Sequence, residues 1–368
     1  MIKLGTDCSG IGCPEEALKR LNVEHECIFA SDIDKNAKKS YEANHNVNIF
    51  YDNIYSRPFN ITVDLYVAGL PCQAFSIYGK RLGENDARGI LFYNAYEYIK
   101  QSKPKAIIIE NVKGLLSSDD GRTFDTWCSL LGKSINGQEL LIKHPDNLGY
   151  DIYWKVLNSK DFGVGQNRER VFIVAVNGSY TFPSPTDSTK RIKDHLEENV
   201  DNKYYIKNGH SLYKKIQEIN TSLCDINTNC KTYISAAIRG RNGNQTFETS
   251  FNDIANCITT VGKDSLICQL NPSKESGGMQ PYQQNRVYDI NGIVPTVQTT
   301  APYNVIDANS VRRLTPREYF RLQGYSDEFF DNCSKVVSET SLYKQAGNSI
   351  TVNVMVEIIR NLIKFKHL

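Results

Sequence analysis

The sequence lacks the patterns that mark several common classes of protein. Its ten cysteines include no Cys-x-x-Cys pair, so the spacing typical of zinc ribbons and thioredoxin-like sites is absent, and we expect no metal. The longest apolar runs, at 106–109 and 171–176, are far shorter than a membrane-spanning helix. Asp7 lies where a signal peptide would have its apolar core. These absences predict a cytoplasmic protein with free thiols and no membrane association.

An excess of charge of either sign is also missing. Forty-three Lys and Arg residues oppose 41 Asp and Glu residues, which leaves a net charge of +2. We therefore do not expect a protein that coats nucleic acid by overall basic charge, whereas a local basic face stays possible. The 368 residues, 40% of them hydrophobic, are typical of a globular protein of two domains. With no coiled-coil pattern, we expect a monomer.

Short apolar runs alternate with amphipathic stretches through the first 110 residues. This alternation predicts an α/β fold in which helices cover both faces of a parallel sheet. Residues 178–310 are rich in Asn, Thr, Ser and Tyr, and they predict a smaller domain of strands and loops. A final helix over about 349–365 carries an apolar stripe that is expected to pack on the core.

Polar segments follow four of the predicted strands. They are residues 9–12, 32–34, 69–73 and 110–112. Because parallel strands end at the same edge of a sheet, these segments predict a glycine turn, two carboxylates and a thiol at one rim. A glycine turn with an acidic residue about 20 positions later suits a nucleoside, although a simple tight turn explains the glycines equally well. The missing Gly-x-Gly-x-x-Gly pattern indicates a ligand without pyrophosphate.

Cys72 is the candidate nucleophile. It lies in a Pro-Cys-Gln sequence directly after a strand, whereas an inert buried thiol is the default for the other cysteines. A free thiol has a pKa of about 8.5 and is mostly protonated at neutral pH, so nearby positive charge is needed to form the reactive thiolate. If residues 166–170 are extended, Gln166, Arg168 and Arg170 share one face and supply that charge. The alternative is that residues 166–170 are simply the exposed, charged start of a strand.

Residues 79–89 contain three glycines and three basic side chains close to this cysteine. They predict a lid over an anionic substrate, and a solvated loop is the alternative.

Taken in order, these residues resemble the DNA cytosine-C5 methyltransferase family of the restriction-modification type. The resemblance covers most of the chain except about residues 178–310. The sequence departs from the family pattern at residues 6–8, where Thr-Asp-Cys stands in place of Asp-Leu-Phe, and at 52–54, where Asp-Asn-Ile stands in place of Gly-Asp-Ile. The matching segments are 8–12, 32–34, 69–76, 110–112, 166–170, 313–318, 322–325 and 345–350.

The resemblance implies S-adenosyl-L-methionine as methyl donor, S-adenosyl-L-homocysteine as product and duplex DNA as partner. It implies a Rossmann-like S-adenosylmethionine-dependent methyltransferase domain over 1–177, completed by 341–368. Residues 178–340 would form a smaller target-recognition domain and hinge. The cofactor-binding residues it implies are Cys8, Ser9, Gly10, Ile11, Gly12, Asp32, Ile33, Asn53, Ile54, Gly69, Pro71, Leu91, Asn348 and Ser349.

The resemblance also assigns roles in catalysis and in DNA binding. Cys72 would add to the cytosine ring, Glu110 would share a proton at its N3 and N4 edge, and Arg170, supported by Arg168, would bind O2. Residues 239–245 are the best candidate for base reading, and a solvent loop explains them about as well. The expected DNA-binding residues are Gln73, Ser76, Lys80, Arg81, Arg88, Gln166, Arg239, Arg241 and Gln345.

Three other functions have to be weighed against this pattern. Cytosine-C5 methylation of tRNA uses most of the same motifs, but the large 178–310 segment favours duplex DNA. Amino-group methylation typically uses a Pro-Pro motif, and the chain has no Pro-Pro pair. A catalytically weak DNA-binding relative would be expected to lose Cys72, Glu110 or Arg170. A bacterial or phage origin, with a cognate restriction endonuclease as genetic partner, is the expected setting.

Overall fold

The computed structural model describes residues 1–70, 90–205, 235–241, 244–250, 287–297, 299, 303–307 and 310–368. Its strands are β1 (Ile2–Asp7), β2 (His25–Ser31), β3 (Ile49–Tyr51), β4 (Leu65–Gly69), β5 (Ala106–Val112), β6 (Gly132–Ile135), β7 (Gln138–Glu139), β8 (Tyr150–Asn158), β9 (Gln166–Asn167), β10 (Glu169–Val176), β11 (Ser235–Arg241), β12 (Asn244–Ser250), β13 (Val287–Asp289), β14 (Val294–Pro295), β15 (Asn304–Asp307) and β16 (Ser310–Arg313). Its α-helices are α1 (Cys13–Arg20), α2 (Lys35–Glu42), α3 (Ile90–Ser102), α4 (Arg122–Leu131), α5 (Pro316–Leu322), α6 (Asp327–Ser334), α7 (Glu339–Asn348) and α8 (Val352–Lys364). Short 3₁₀ segments lie at Ile54–Ser56, Lys113–Gly121, Ser159–Asp161, Ile192–His195 and Asn202–Tyr204.

A nine-stranded sheet in the order β3-β2-β1-β4-β5-β10-β8-β6-β7 forms the centre of the protein. The strands from β3 to β5 are parallel, as the sequence predicts, whereas β10 runs antiparallel to both β5 and β8. From β1 the chain order moves outward to β2 and β3 on one side and to β4 and β5 on the other. Such a reversal of strand order leaves a crevice at the carboxyl ends of β1 and β4, where ligands of open α/β sheets bind.

The sheet separates two layers of packed apolar side chains. In β5, Ala106 and Ile108 belong to the layer that α1 and α8 cover. Ile107 and Ile109 belong to the opposite layer, which α3 and α4 cover. Because successive residues of a strand point to opposite faces, a strand covered on both sides is a continuous apolar run. This explains the uninterrupted hydrophobic stretch at 106–109.

The helices agree with their sequence signals. Pro14 lies in the first turn of α1, followed by two acidic residues, and the last turn carries Lys19 and Arg20, as favourable interaction with the helix dipole requires. The final helix, α8, buries seven apolar side chains, which confirms the predicted packing stripe. Among the described residues, no helix is long and apolar enough to cross a membrane.

Part of the chain beyond residue 178 packs into the same core as the sheet. Strand β14 pairs with β9, with Val294 opposite Gln166. Tyr288, Val297 and Leu314 belong to the core layer covered by α1 and α8. The division into domains at 177 and 341 stays a prediction.

Candidate active site

A pocket opens where β1 and β4 end. Its lining joins residues of the N-terminal turn to residues from the end of α7, far apart in sequence. Glu110, at the end of β5, closes one side. Seven of the predicted cofactor-binding residues line it: Cys8, Ser9, Gly10, Ile11, Gly69, Asn348 and Ser349.

The turn after β1 is held against the end of β2 by hydrogen bonds. Cys8, Gly10 and Gly12 all have positive φ angles, which lets the backbone curl tightly. The amide of Ser9 donates to the carbonyl of Ser31 over 2.9 Å. The amide of Gly10 donates to Oδ2 of Asp32 over 2.8 Å. The turn and the carboxylate that the sequence assigned to one site are therefore in direct contact.

Asp32 keeps acceptor capacity for a ligand. Its Oδ1 accepts one backbone hydrogen bond, from Asp34, and its Oδ2 accepts the one from Gly10, while an ionised carboxylate can accept about four in all. Burial raises the pKa of Asp32, and the two backbone donors act in the opposite direction. A pair of hydroxyl groups is the natural further partner for such a carboxylate.

Position 12 requires glycine because the surrounding atoms leave no room for a side chain. A Cβ atom there would lie 2.4 Å from Cδ2 of His45, and the residue has a φ of +87°. We expect Gly12→Ala to lower the free energy of unfolding by about 3 kcal/mol, the sum of backbone strain and steric overlap. Gly10→Ala is the matched control, because Gly10 also has a positive φ but no atom within 4 Å of the added Cβ. Its expected loss is about 1 kcal/mol. Equal losses in urea unfolding would contradict the steric argument.

The other predicted cofactor residues differ in their surroundings. Ile33, next to Asp32, is 81% exposed, so its apolar side chain is accessible to a ligand. Asn53 accepts a hydrogen bond from the amide of Ser56 over 2.9 Å and so caps a 3₁₀ turn. Ile54 is buried in the core layer covered by α3 and α4, and Leu91 packs against the same layer.

Glu110 and Arg170 meet at the rim of the pocket. Because β10 is antiparallel to β5, the start of β10 lies beside the end of β5, with Arg170 opposite Val112. Nε of Arg170 lies 3.2 Å from Oε1 of Glu110, and the two side chains are only 15% and 10% exposed. Burial raises the pKa of Glu110, while Arg170 and Arg168 act to lower it. The site thus holds a carboxyl group that stays protonated at higher pH than an ordinary glutamate, beside a fixed cation.

Arg168 contacts the C-terminal wall of the pocket. Its Nη2 donates to the carbonyl of Gly347 over 3.2 Å and to that of Ser349 over 2.8 Å. These carbonyls flank Asn348, which lines the pocket. Arg168 is 3% exposed, so its role in this structure is to hold that wall in place.

Two residues that the sequence assigned to DNA contact are buried amides. Gln166 is 0% exposed, donates to the carbonyl of Leu322 over 2.9 Å and accepts from the amide of Val297 over 3.0 Å. Gln345 is 4% exposed, accepts from Oγ of Ser40 over 2.9 Å and donates to a carbonyl of α2 over 3.0 Å. Because both amides are bonded within the protein, we correct the assignment of both from DNA contact to structural roles.

The comparisons with known proteins agree with this geometry. The model of the C-5 cytosine-specific DNA methylase family matches residues 7–364 of the chain. The chain belongs to this family. The family predicted from the sequence is therefore confirmed.

Two relatives and one solved structure illustrate the likeness. The orphan methyltransferase M.SPRI of Bacillus phage SPR is 31% identical over a 438-residue alignment that covers 96% of each chain. The type II methyltransferase M.HpaII of Haemophilus parainfluenzae is 33% identical over 94% of this chain and 84% of that one. The crystal structure of the S. pombe Dnmt2 methyltransferase superposes with a TM-score of 0.64 at 18% identity, covering 100% of both chains. The predicted Rossmann-like α/β fold is confirmed.

The remaining site residues assigned to this methyltransferase fall outside the described side chains. Arg239 and Arg241 lie on β11, opposite Thr246 and Asn244 of β12, so the segment assigned to base reading includes two paired strands. The predicted lid at 79–89 lies outside the described residues. So do Pro71, Cys72, Gln73, Ser76, Lys80, Arg81 and Arg88.

Sequence reasoning assigned no role in the site to two buried charged residues, one of which lines the methyltransferase pocket. Asp7 lines the pocket and is 1% exposed, and Arg57 is 2% exposed. The two form an ion pair at 2.8 Å. Asp7 is the last residue of β1, and nothing in the sequence pairs it with Arg57.

Proposed function

We propose that this methyltransferase transfers a methyl group from S-adenosyl-L-methionine to C5 of a cytosine within a short specific sequence of duplex DNA. The reaction proceeds through a covalent Cys72 adduct, with the target base flipped out of the helix. The observation that carries the proposal is the contact between Glu110 and Arg170 at the rim of a pocket built from the glycine turn. Family membership supports the same reaction.

The pocket residues fit S-adenosyl-L-methionine. No atom lies within 4 Å of the missing Cβ of Gly10, so a ligand can approach that backbone closely. The free lone pairs of Asp32 suit the two ribose hydroxyls, and the exposed Ile33 offers an apolar surface to the adenine ring. Residues 8–12 and Asn348 are the candidates for holding the methionine part. When bound, S-adenosyl-L-methionine supplies an electrophilic methyl group.

The chain's own groups activate the cytosine ring. The Cys72 thiolate adds to C6, and the protonated Glu110 gives its proton to N3, so that no net negative charge builds up on the ring. Arg170 donates to O2 of the ring and holds the Glu110 carboxyl in place. After C5 has taken up the methyl group, a water molecule removes the C5 proton, the N3 proton returns to Glu110, and Cys72 leaves as thiolate.

The target atom is inaccessible in a stacked duplex, so the base has to leave the helix at a cost of a few kcal/mol. Arg239, Arg241 and the basic residues of 79–89 are the candidates for the contacts to phosphates and bases that offset this cost. The chain would act as a monomer in the cytoplasm of a bacterium, encoded there or by a phage.

Bisulfite sequencing tests for cytosine methylation and identifies the target sequence in the same experiment. Purified protein is incubated with S-adenosyl-L-methionine and long unmethylated duplex DNA, and we expect protected cytosines in one short sequence context. A folded protein that binds S-adenosyl-L-homocysteine but protects no cytosine would contradict the proposal. A parallel reaction on tRNA, read in the same way, would then identify an RNA substrate.

The named relatives include both type II and orphan methyltransferases. We infer that methylation by this chain protects its target sequence from a restriction endonuclease that cuts there. DNA from cells that express the chain should resist an endonuclease that cuts the sequence found above, and DNA from cells with the inactive Cys72→Ser variant should not.

A further inference from the structure

The buried carboxylate of Asp7, at the end of β1, contacts side chains from three other segments of the chain. Oδ1 of Asp7 accepts from Oγ of Ser31, at the end of β2, over 2.6 Å. Its Oδ2 accepts from the hydroxyl of Tyr66, in β4, over 2.7 Å. Nε of Arg57 donates to both oxygens, over 3.1 and 3.0 Å. Asp7 itself is the last residue of β1, directly before the glycine turn.

Arg57 is enclosed by aromatic rings as well as by this carboxylate. Its guanidinium lies 4.0 Å from the ring centre of Tyr98 and 5.3 Å from that of Phe29. Nη2 donates to Oδ1 of Asn94 in α3 over 3.2 Å. The side chains of Arg57 and Asp7 are both 0% exposed, so neither charge has water as an alternative partner.

The pair lies next to residues that were assigned to the cofactor. Arg57 directly follows the 3₁₀ turn Ile54–Ser56, which Asn53 caps. Asn53 and Ile54 are among the residues assigned to the cofactor. Asp7 is one of the residues at which this sequence departs from the family pattern. The carboxylate thus connects the glycine turn, the β2 end that carries Asp32, and the segment that ends at Arg57.

We propose that Asp7 and Arg57 are positioning residues for the cofactor: their pairing holds these three segments in one arrangement, and the affinity for S-adenosyl-L-methionine depends on it. The inference rests on the proposed use of that cofactor. Neither residue takes part in the chemistry at cytosine, so the loss of the pair acts on cofactor binding and leaves the turnover rate at saturating cofactor nearly unchanged.

Binding of S-adenosyl-L-homocysteine, measured by calorimetry without DNA, is the direct test. In Asp7→Asn the charge of Arg57 stays buried without its partner, and we expect the Kd to rise at least about tenfold, which corresponds to about 1.4 kcal/mol. In methylation assays the KM for S-adenosyl-L-methionine should rise by a similar factor while kcat changes less than about twofold. An unchanged Kd in the folded variant would overturn the inference.

Arg57→Lys keeps the test decisive if Asp7→Asn does not fold. It keeps a positive charge beside Asp7 but removes the guanidinium that donates to both carboxylate oxygens and to Asn94, so we expect a folded protein whose Kd rises about threefold to tenfold. An Arg57→Lys protein with wild-type affinity would count against the inference.

Glu318→Gln is the matched control for a general loss of stability. Glu318 pairs with Arg312 at 2.7 Å, and both side chains are 0% exposed, as in the Asp7 pair. This variant should lose stability but bind S-adenosyl-L-homocysteine as the wild type does. Equal losses of affinity in Glu318→Gln and Asp7→Asn would reduce the effect to general destabilisation and refute a positioning role. Failure of the wild type to bind would instead refute the proposed cofactor.

Discussion

Replacing Cys72 with serine is expected to lower the rate of methyl transfer by about 10⁴-fold or more while binding of DNA and S-adenosyl-L-homocysteine is kept. A serine hydroxyl does not ionise near neutral pH, and it is a much weaker nucleophile than a thiolate. The measurement is the initial rate of tritium transfer from labelled S-adenosyl-L-methionine to duplex DNA. A Cys72→Ser enzyme with wild-type activity would rule out the covalent mechanism.

Cys333→Ser is the matched control for this variant. Burial raises the pKa of the Cys333 thiol to about 11, so it is not a source of thiolate at neutral pH. Its Sγ accepts a hydrogen bond from Nδ2 of Asn44 over 3.2 Å, so a hydroxyl group finds a polar partner there. We expect full activity in Cys333→Ser. A loss equal to that of Cys72→Ser would mean that the assay reports folding and not nucleophilic catalysis.

Glu110→Gln is expected to lower kcat by about 10²- to 10⁴-fold, the usual contribution of a general acid. The amide has nearly the same shape and its oxygen can still accept from Arg170, but it has no acidic proton to transfer to the ring. The neighbouring Glu169 is 47% exposed and pairs with Lys113, so Glu169→Gln controls for the loss of one negative charge near the site. Similar kcat values in the two variants would contradict the role of Glu110.

The pH dependence gives an independent measure of the same group. Burial raises the pKa of Glu110, so its protonated form persists to higher pH than that of an exposed glutamate. As the pH rises through this pKa, the acid loses its proton and kcat should fall in the wild type. Glu110→Gln lacks the titrating group, so its profile should not show that decrease. Identical alkaline profiles would assign the decrease to another group.

The rim of the site could be predicted from the sequence because it depends on local patterns. Apolar runs mark the parallel strands, and the polar residues that end them meet at one edge whatever the details of packing. This reasoning brings the glycine turn, Asp32 and Glu110 together, as observed. The contact between Glu110 and Arg170 needed one further fact, the antiparallel direction of β10, which side-chain periodicity does not contain.

Buried polar groups are where sequence reasoning was insufficient. Gln166 and Gln345 carry ordinary polar side chains, and only the tertiary structure reveals that backbone groups and a serine hydroxyl satisfy their amides inside the core. The partners Asp7 and Arg57 are 50 positions apart, and no local pattern joins them. Such pairs depend on how distant segments fold together.

The hydrogen bonds from Arg168 to the carbonyls of Gly347 and Ser349 have a consequence for when the pocket of a newly synthesised chain is complete. Arg168 and Ser349 are separated by 181 positions, and the carbonyls that Arg168 holds flank one wall of the pocket. The ribosome synthesises the glycine turn, Asp32 and Glu110 well before it synthesises that wall. Because N-terminal regions fold first during synthesis, the part of the pocket that the glycine turn and Asp32 form is assembled before the wall at residues 347–349. The nascent chain therefore has an incomplete pocket until residues 345–350 emerge from the ribosome.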